Sequence, residues 1–141
     1  FIELAGQVNG AMPEYVVHKV SLALNDRKKA VKGSRVLVLG LAYKADIDDV
    51  RESPALDIVK LLQARGAEVV VHDPYISDLS HEGVEAVWVG LDASTLQKLD
   101  CVVVVTGHTC VDYAQVLQHS ELVVDTRNVF KGKKSDKIVR L

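Results

Sequence analysis

Short runs of unbroken apolar residues, spaced by helix-length segments, constrain this chain more than anything else in it. Arg35–Gly40, Glu68–His72, Asp100–Thr106 and Glu121–Asp125 are dominated by valine and leucine and lack polar alternation. A strand with one wet face alternates, whereas a strand covered on both faces does not. Between these runs stand helical patterns. Ser53-Pro54 opens one of them, with serine as N-cap and proline at the first helical position. Leu56, Val59, Leu61 and Leu62 form its apolar side, and Gly66 ends it. Residues 91–99, capped by Asp92, and 112–119 read as shorter helices. Residues 85–89 read as a weaker strand and 137–141 as a short edge strand. Alternating strands and helices predict an α/β fold: a Rossmann-like, doubly wound parallel sheet of five or six strands joined by right-handed crossovers.

Residues 4–30 read as a long N-terminal helix. Val8, Met12, Val16, Val20 and Leu24 recur at a spacing of four, and Leu4, Val17 and Ala23 widen the stripe. Pro13 either starts a fresh helix or kinks a continuous one. Lys28, Lys29 and Lys32 suit a helix C-terminus, with Gly33 as the stop. So long an apolar face needs a partner, and the rest of the chain is one candidate. The 141 residues thus divide into a helix, 1–30, and one domain, 31–141. A net charge of −2 gives no general attraction to nucleic acid or to an acidic membrane, and Lys131, Lys133 and Lys134 read as a solvated loop. No apolar stretch approaches the ~20 residues of a membrane span. Cys101 and Cys110 form no CxxC pair and no zinc spacing, so no metal site is expected, and a reducing compartment, the cytoplasm, is. No signal peptide is visible. The chain opens at Phe1, with no Met, inside what reads as continuing structure, which a piece of a longer protein explains.

In a doubly wound sheet, ligands bind beyond the carboxyl ends of the strands. The segments to weigh are therefore 40–53, 72–76, 106–112 and 125–131. The first is long for a βα loop, where ~2–6 residues is usual. Gly40 stands alone in it, so it is not the GxGxxG dinucleotide fingerprint. It offers an aromatic ring, Tyr43, and two cations, Lys44 and Arg51, beside the helix that begins near Ser53. Two readings stay open: an anion site, for which phosphate is the natural ligand, or a self-paired loop in which Asp46, Asp48 and Asp49 neutralise the cations. The aspartate spacing fits no EF-hand pattern. Arg127 leaves the last central strand and either reaches the same crevice or pairs with Asp125 or Asp73. His108 reads as a locally bonded loop histidine or as an acid–base group, and a Cys110–His108 nucleophile lacks anything to orient it. Asp73-Pro74 reads as a turn, since a ribose-binding role for Asp73 needs the glycine fingerprint.

The run Gly40-Leu-Ala-Tyr-Lys-Ala-Asp-Ile-Asp-Asp-Val-Arg-Glu-Ser-Pro-Ala55 closely resembles the signature of the UDP-glucose/GDP-mannose dehydrogenase family, where it begins the C-terminal, UDP-binding domain. Phe1–Asn9 and Ala11–Val16 resemble that family's central helix, Val69–Tyr75 its strand followed by Asp-Pro-Tyr, and Val123–Asn128 its final strand and arginine loop. Residues 1–17 and 46–54 are most similar to the branch acting on UDP-N-acetylhexosamines. The resemblance implies an NAD-dependent enzyme that oxidises a sugar C6 alcohol twice, to the carboxylate, through a cysteine thiohemiacetal and thioester. It places the NAD-binding domain and that cysteine before the central helix, so no catalytic residue is implied here, neither Cys101 nor Cys110 inherits the role, and the chain alone is expected to be inactive. It implies that Tyr43 and Lys44 touch the nucleotide-sugar and that Arg127 contacts substrate, with Asn128 the alternative. It implies that Arg51 reaches toward NAD and that the helix carries a homodimer contact. Tyr43 stands where many members have phenylalanine. A stand-alone, non-catalytic nucleotide-binding or regulatory module is the competing reading. A response-regulator receiver is disfavoured, because the first strand ends Leu39-Gly40 without an acidic pair.

Overall fold

A computed structural model describes the backbone of residues 2–141 and the side chains of residues 11–141. The elements run α1 (Ile2–Asp26), β1 (Arg35–Leu39), α2 (Pro54–Ala64), β2 (Glu68–His72), β3 (Val87–Trp88), α3 (Ala93–Gln97), β4 (Cys101–Val104), α4 (Tyr113–His119), β5 (Val123–Asp125) and β6 (Ile138–Arg140). The six strands form one sheet in the order β3-β2-β1-β4-β5-β6, with every pair parallel. The chain winds outward from β1 in one direction, then returns to β1 and winds outward in the other. That is the doubly wound order read from the sequence.

The unbroken apolar runs are explained by two cores. Val36, Val38, Val71, Val103 and Val124 face one side, against α1 and α2. Leu37, Leu39, Val102, Val104 and Val123 face the other, against α3 and α4. Successive residues of a strand point to opposite faces, so a strand buried on both has no polar position to spare. Ser53 caps α2 by accepting the amide of Ala55, with Pro54 at the first position. Asp92 and Asp112 cap α3 and α4 by accepting the amides of Thr95 and Gln115.

Three expectations are corrected. The long helix is shorter than 4–30 at its carboxyl end: it stops at Asp26. Lys28 takes the left-handed conformation (φ 63°), its amide donates to the Asn25 carbonyl, and the Lys29 amide donates to the Leu24 carbonyl. This is a Schellman stop made by a lysine, where glycine is the usual signal. Pro13 lies inside the helix and does not divide it. The homodimer expectation would set the apolar stripe of the helix against a second copy; over its described length the stripe packs within the chain instead. Val16, Val17, Val20, Ala23 and Leu24 are buried with α2 and the sheet. Met12, Tyr15 and Leu22 are the large apolar side chains that α1 leaves exposed among its described residues. Leu4 and Val8 lie outside the residues whose side chains are described. Finally, the 85–89 strand shrinks to Val87–Trp88, paired on one side only.

Candidate functional site

The winding reverses between β1 and β4, so the loops that leave them meet at the carboxyl edge. They meet closely. Gly40 has φ +92°, and a Cβ there would sit 2.4 Å from the Thr106 carbonyl oxygen. Thr106 Oγ1 donates to the Ala42 carbonyl at 2.7 Å. No residue but glycine satisfies both the dihedral and the approach.

Asp73, at the end of β2, is 5% exposed and organises this edge. Its Oδ2 accepts the amides of Leu41 (2.7 Å) and Ala42 (3.0 Å), and its Oδ1 accepts those of Tyr75 (2.7 Å) and Ile76 (3.2 Å). Oδ2 also lies 2.7 Å from His108 Nε2. Burial opposes its ionisation, but the amides of Leu41 and Tyr75, His108 and the amide of Ala42 outweigh it and hold the carboxyl below its ordinary range. His108 is fully buried. Its Nδ1 accepts the Asp46 amide at 2.8 Å, so Nε2 carries the proton and donates to Asp73. The 3.9 Å approach of Nδ1 to the Asp46 carboxylate is therefore not an ion pair. Both ring nitrogens are engaged, which leaves none to activate Cys110. Cys101 is buried, and burial pushes its thiol up to about 12.

The sequence reads Asp73 as a turn residue, in keeping with its bonds to the Tyr75 and Ile76 amides, and His108 as a locally bonded loop histidine or an acid–base group. Both bond across 31–62 residues of chain. No local pattern announces such partners. The one available signal was that both end or follow central strands. The same geometry tests the fit of a dinucleotide. The amides that follow β1, which cradle pyrophosphate in a fingerprint loop, are taken here by the protein's own carboxylate. The residues after β1 do not fit the usual NAD pyrophosphate site.

The remaining candidates lie on the outer side of the edge. Tyr43 is 56% exposed, and its amide donates to the Asp49 carbonyl, closing a turn inside the first loop. Tyr43, Asp49, Arg51 and Glu52 line one open hollow of about 440 Å³. Arg51 grips Asp49 bidentately, Nε to Oδ1 at 3.0 Å and Nη2 to Oδ2 at 2.8 Å, and this holds the Asp49 carboxyl down at about 2. The self-paired reading thus describes Arg51. It does not describe Lys44, whose side chain is exposed and has no hydrogen-bond or ion-pair partner among the described residues. Arg127 is exposed, and its side chain pairs with neither Asp125 nor Asp73; only its amide bonds Asp125, at 3.0 Å. Asp125 also accepts the amides of Val129 and Phe130, which fixes the fifth loop. Arg127 packs beside Gly107, since a Cβ on Gly107 would lie 3.6 Å from Arg127 Cβ. Asn128, next to it, is left-handed (φ 62°). The loops after β1, β4 and β5 thus touch in series. Arg127 does not line the Tyr43–Arg51 hollow.

Comparison with known proteins agrees with this fold. The chain is 36% identical over 138 residues to an NDP-N-acetyl-D-galactosaminuronic acid dehydrogenase of Ralstonia solanacearum, covering 94% of this chain and 31% of that protein. It spans about a third of the length of the curated relatives it matches. Among solved structures, a UDP-D-ManNAc dehydrogenase from Pyrococcus horikoshii superposes with a TM-score of 0.79 at 25% identity, over 99% of this chain and 32% of the other. An NDP-N-acetyl-D-galactosaminuronic acid dehydrogenase from Methanosarcina mazei Go1 gives 0.78 at 29% identity, over 98% and 30%. The sequence model of the UDP-glucose/GDP-mannose dehydrogenase family's UDP binding domain matches residues 37–132, from within β1 to beyond β5 and with the three touching loops included, and the chain belongs to that family.

Proposed function

We propose that this chain is the nucleotide-sugar-holding part of an NAD-dependent dehydrogenase that oxidises the C6 alcohol of a UDP-N-acetylhexosamine in the cytoplasm. Residues 31–141 hold the UDP-sugar, with Tyr43 covering base or sugar and Lys44 and Arg127 meeting the diphosphate. Arg51 turns toward the cofactor, which another part of the enzyme binds. Residues 1–30 carry the homodimer contact, through the exposed Met12, Tyr15 and Leu22 side of α1. The observation that carries the reading is the contact series of the three edge loops, with an exposed cation on the first and on the last that has no side-chain partner among the described residues. A charge-assisted hydrogen bond contributes about 1.5–3 kcal/mol. Lys44→Ala and Arg127→Ala are therefore expected to weaken UDP binding by roughly ten- to a hundredfold, and Lys133→Ala to leave it unchanged. Calorimetric titration with UDP decides it: equal affinity for parent, Lys44→Ala and Arg127→Ala rules the site out.

No catalytic residue is assigned to this chain. The purified chain is expected to generate no NADH from NAD and any UDP-sugar. Absorbance growth at the NADH band, at a rate proportional to chain concentration, would overturn that.

A further inference from the structure

The first loop, residues 40–53, contains no strand or helix and is nonetheless held at defined points. Ala42 is tied through its amide to Asp73 Oδ2 and through its carbonyl to Thr106. Asp46 is tied through its amide to His108 Nδ1 and through its carboxylate to the Thr109 amide (2.8 Å) and hydroxyl (3.0 Å). Tyr43 and Lys44 are bracketed between these two anchors. The anchors share one origin, because the Asp73 oxygen that takes the Leu41 and Ala42 amides also takes the His108 N–H. Asp46 is left-handed at φ 64°, a conformation that an L residue keeps only when its surroundings hold it. The Tyr75 ring lies against His108, centroids 4.8 Å apart and tilted by 48°, and Tyr113 donates its hydroxyl to the His108 carbonyl, so both the ring and the backbone of His108 have neighbours that hold them.

We propose that His108 and Asp46 form a latch that sets the placement of Tyr43 and Lys44, which makes His108 a positioning residue for the nucleotide and not an acid, base or ligand. This rests on the reading of Tyr43 and Lys44 given above. Preorganisation raises affinity by removing the ordering cost of the loop from the binding step. Opening the latch therefore weakens UDP binding without touching a ligand contact.

The test compares the parent chain with His108→Phe, His108→Gln and Asp46→Ala. UDP titration and hydrogen exchange of individual amides are read together. Phenylalanine keeps a ring but neither donates nor accepts; glutamine offers a donor and an acceptor. Asp46→Ala changes an exposed side chain, which keeps the test open if His108→Phe does not fold. Expected are about 100-fold faster exchange at the Asp46 amide in His108→Phe and unchanged protection in β1 and β4. UDP affinity should fall about tenfold in His108→Phe and in Asp46→Ala, with at least partial recovery in His108→Gln. Faster exchange with unchanged UDP affinity would overturn the positioning role. Unchanged exchange at Asp46 in His108→Phe would overturn the latch itself. No UDP binding by the parent would instead overturn the nucleotide reading, and any exchange change would then mark a purely structural tie.

Discussion

Replacing Asp73 by alanine is expected to lower the unfolding free energy by about 3–5 kcal/mol. The carboxylate accepts four backbone amides and the His108 N–H in a pocket closed to solvent. Alanine strands all five donors at once, and each buried donor left unpaired costs about 1–3 kcal/mol before water or relaxation recovers part of it. Asp73→Asn keeps one acceptor oxygen and should cost roughly half as much. Urea unfolding checks both: the midpoint falls and the slope holds. A loss below about 1 kcal/mol for Asp73→Ala would mean that water replaces the carboxylate, and that something else shapes the edge. The pH dependence follows from the direction of the shift. Burial raises the Asp73 pKa, the bonds to Leu41, Tyr75, His108 and Ala42 lower it further than that, and the folded value lies below the unfolded one. Its contribution is complete above the unfolded value, about 3.9, and is lost as pH falls through the lower folded value. The parent should therefore lose more stability than Asp73→Ala on acidification below about pH 4.

Gly40→Ala is expected to cost at least ~3 kcal/mol, from a disfavoured dihedral and a clash that neither neighbour can relieve. The nearest atoms to the added methyl are the Thr106 carbonyl oxygen at 2.4 Å and the Thr106 amide nitrogen and Cβ, each at 2.6 Å, and none of them can move without the backbone. Relief requires β1 and β4 to part where the Val105 amide donates to the Leu39 carbonyl. The expected result is a thermal midpoint lowered by roughly 10 °C or more. Gly83→Ala makes a useful comparison, since Gly83 has positive φ (67°) but open space around it, and should cost only about 1–2 kcal/mol. Equal costs for the two would show that the dihedral alone matters and that the loops do not abut.

What the sequence made legible follows from how far each signal reaches. β1, β2 and β4 were readable because burial on both faces writes itself into every position. β3 was overdrawn because an edge strand is covered on one side only, and Val87 and Trp88 remain exposed. The end of α1 was misplaced because a lysine stands where the helix stops, and the lysines and Gly33 beyond it mimic a later terminus. Near the site, Arg51 pairing with Asp49 was one of two open readings, and a spacing of two residues made it visible. Lys44 and Arg127 declare their charge in the sequence, but that neither side chain has a partner among the described residues is a matter of three dimensions. Asp73 and His108 were undervalued for the same reason. Their long-range partners lie 31–62 residues away, and a turn proline and a loop glycine beside them point to a duller part.

The central place of β1 has a consequence for how the chain is made. Its Arg35 amide is satisfied by Asp100, 65 residues further on, and its outer flank is closed only when β4 arrives. At about 5–20 residues per second, a nascent chain holds that flank open for roughly 3–13 s. During that wait Val36–Leu39 is an apolar strand with an unpaired edge, the kind of segment that joins a neighbour instead. Chains released before residue 105 should therefore aggregate, and slowing synthesis between β2 and β4 should lower the soluble yield even though the finished sequence is unchanged.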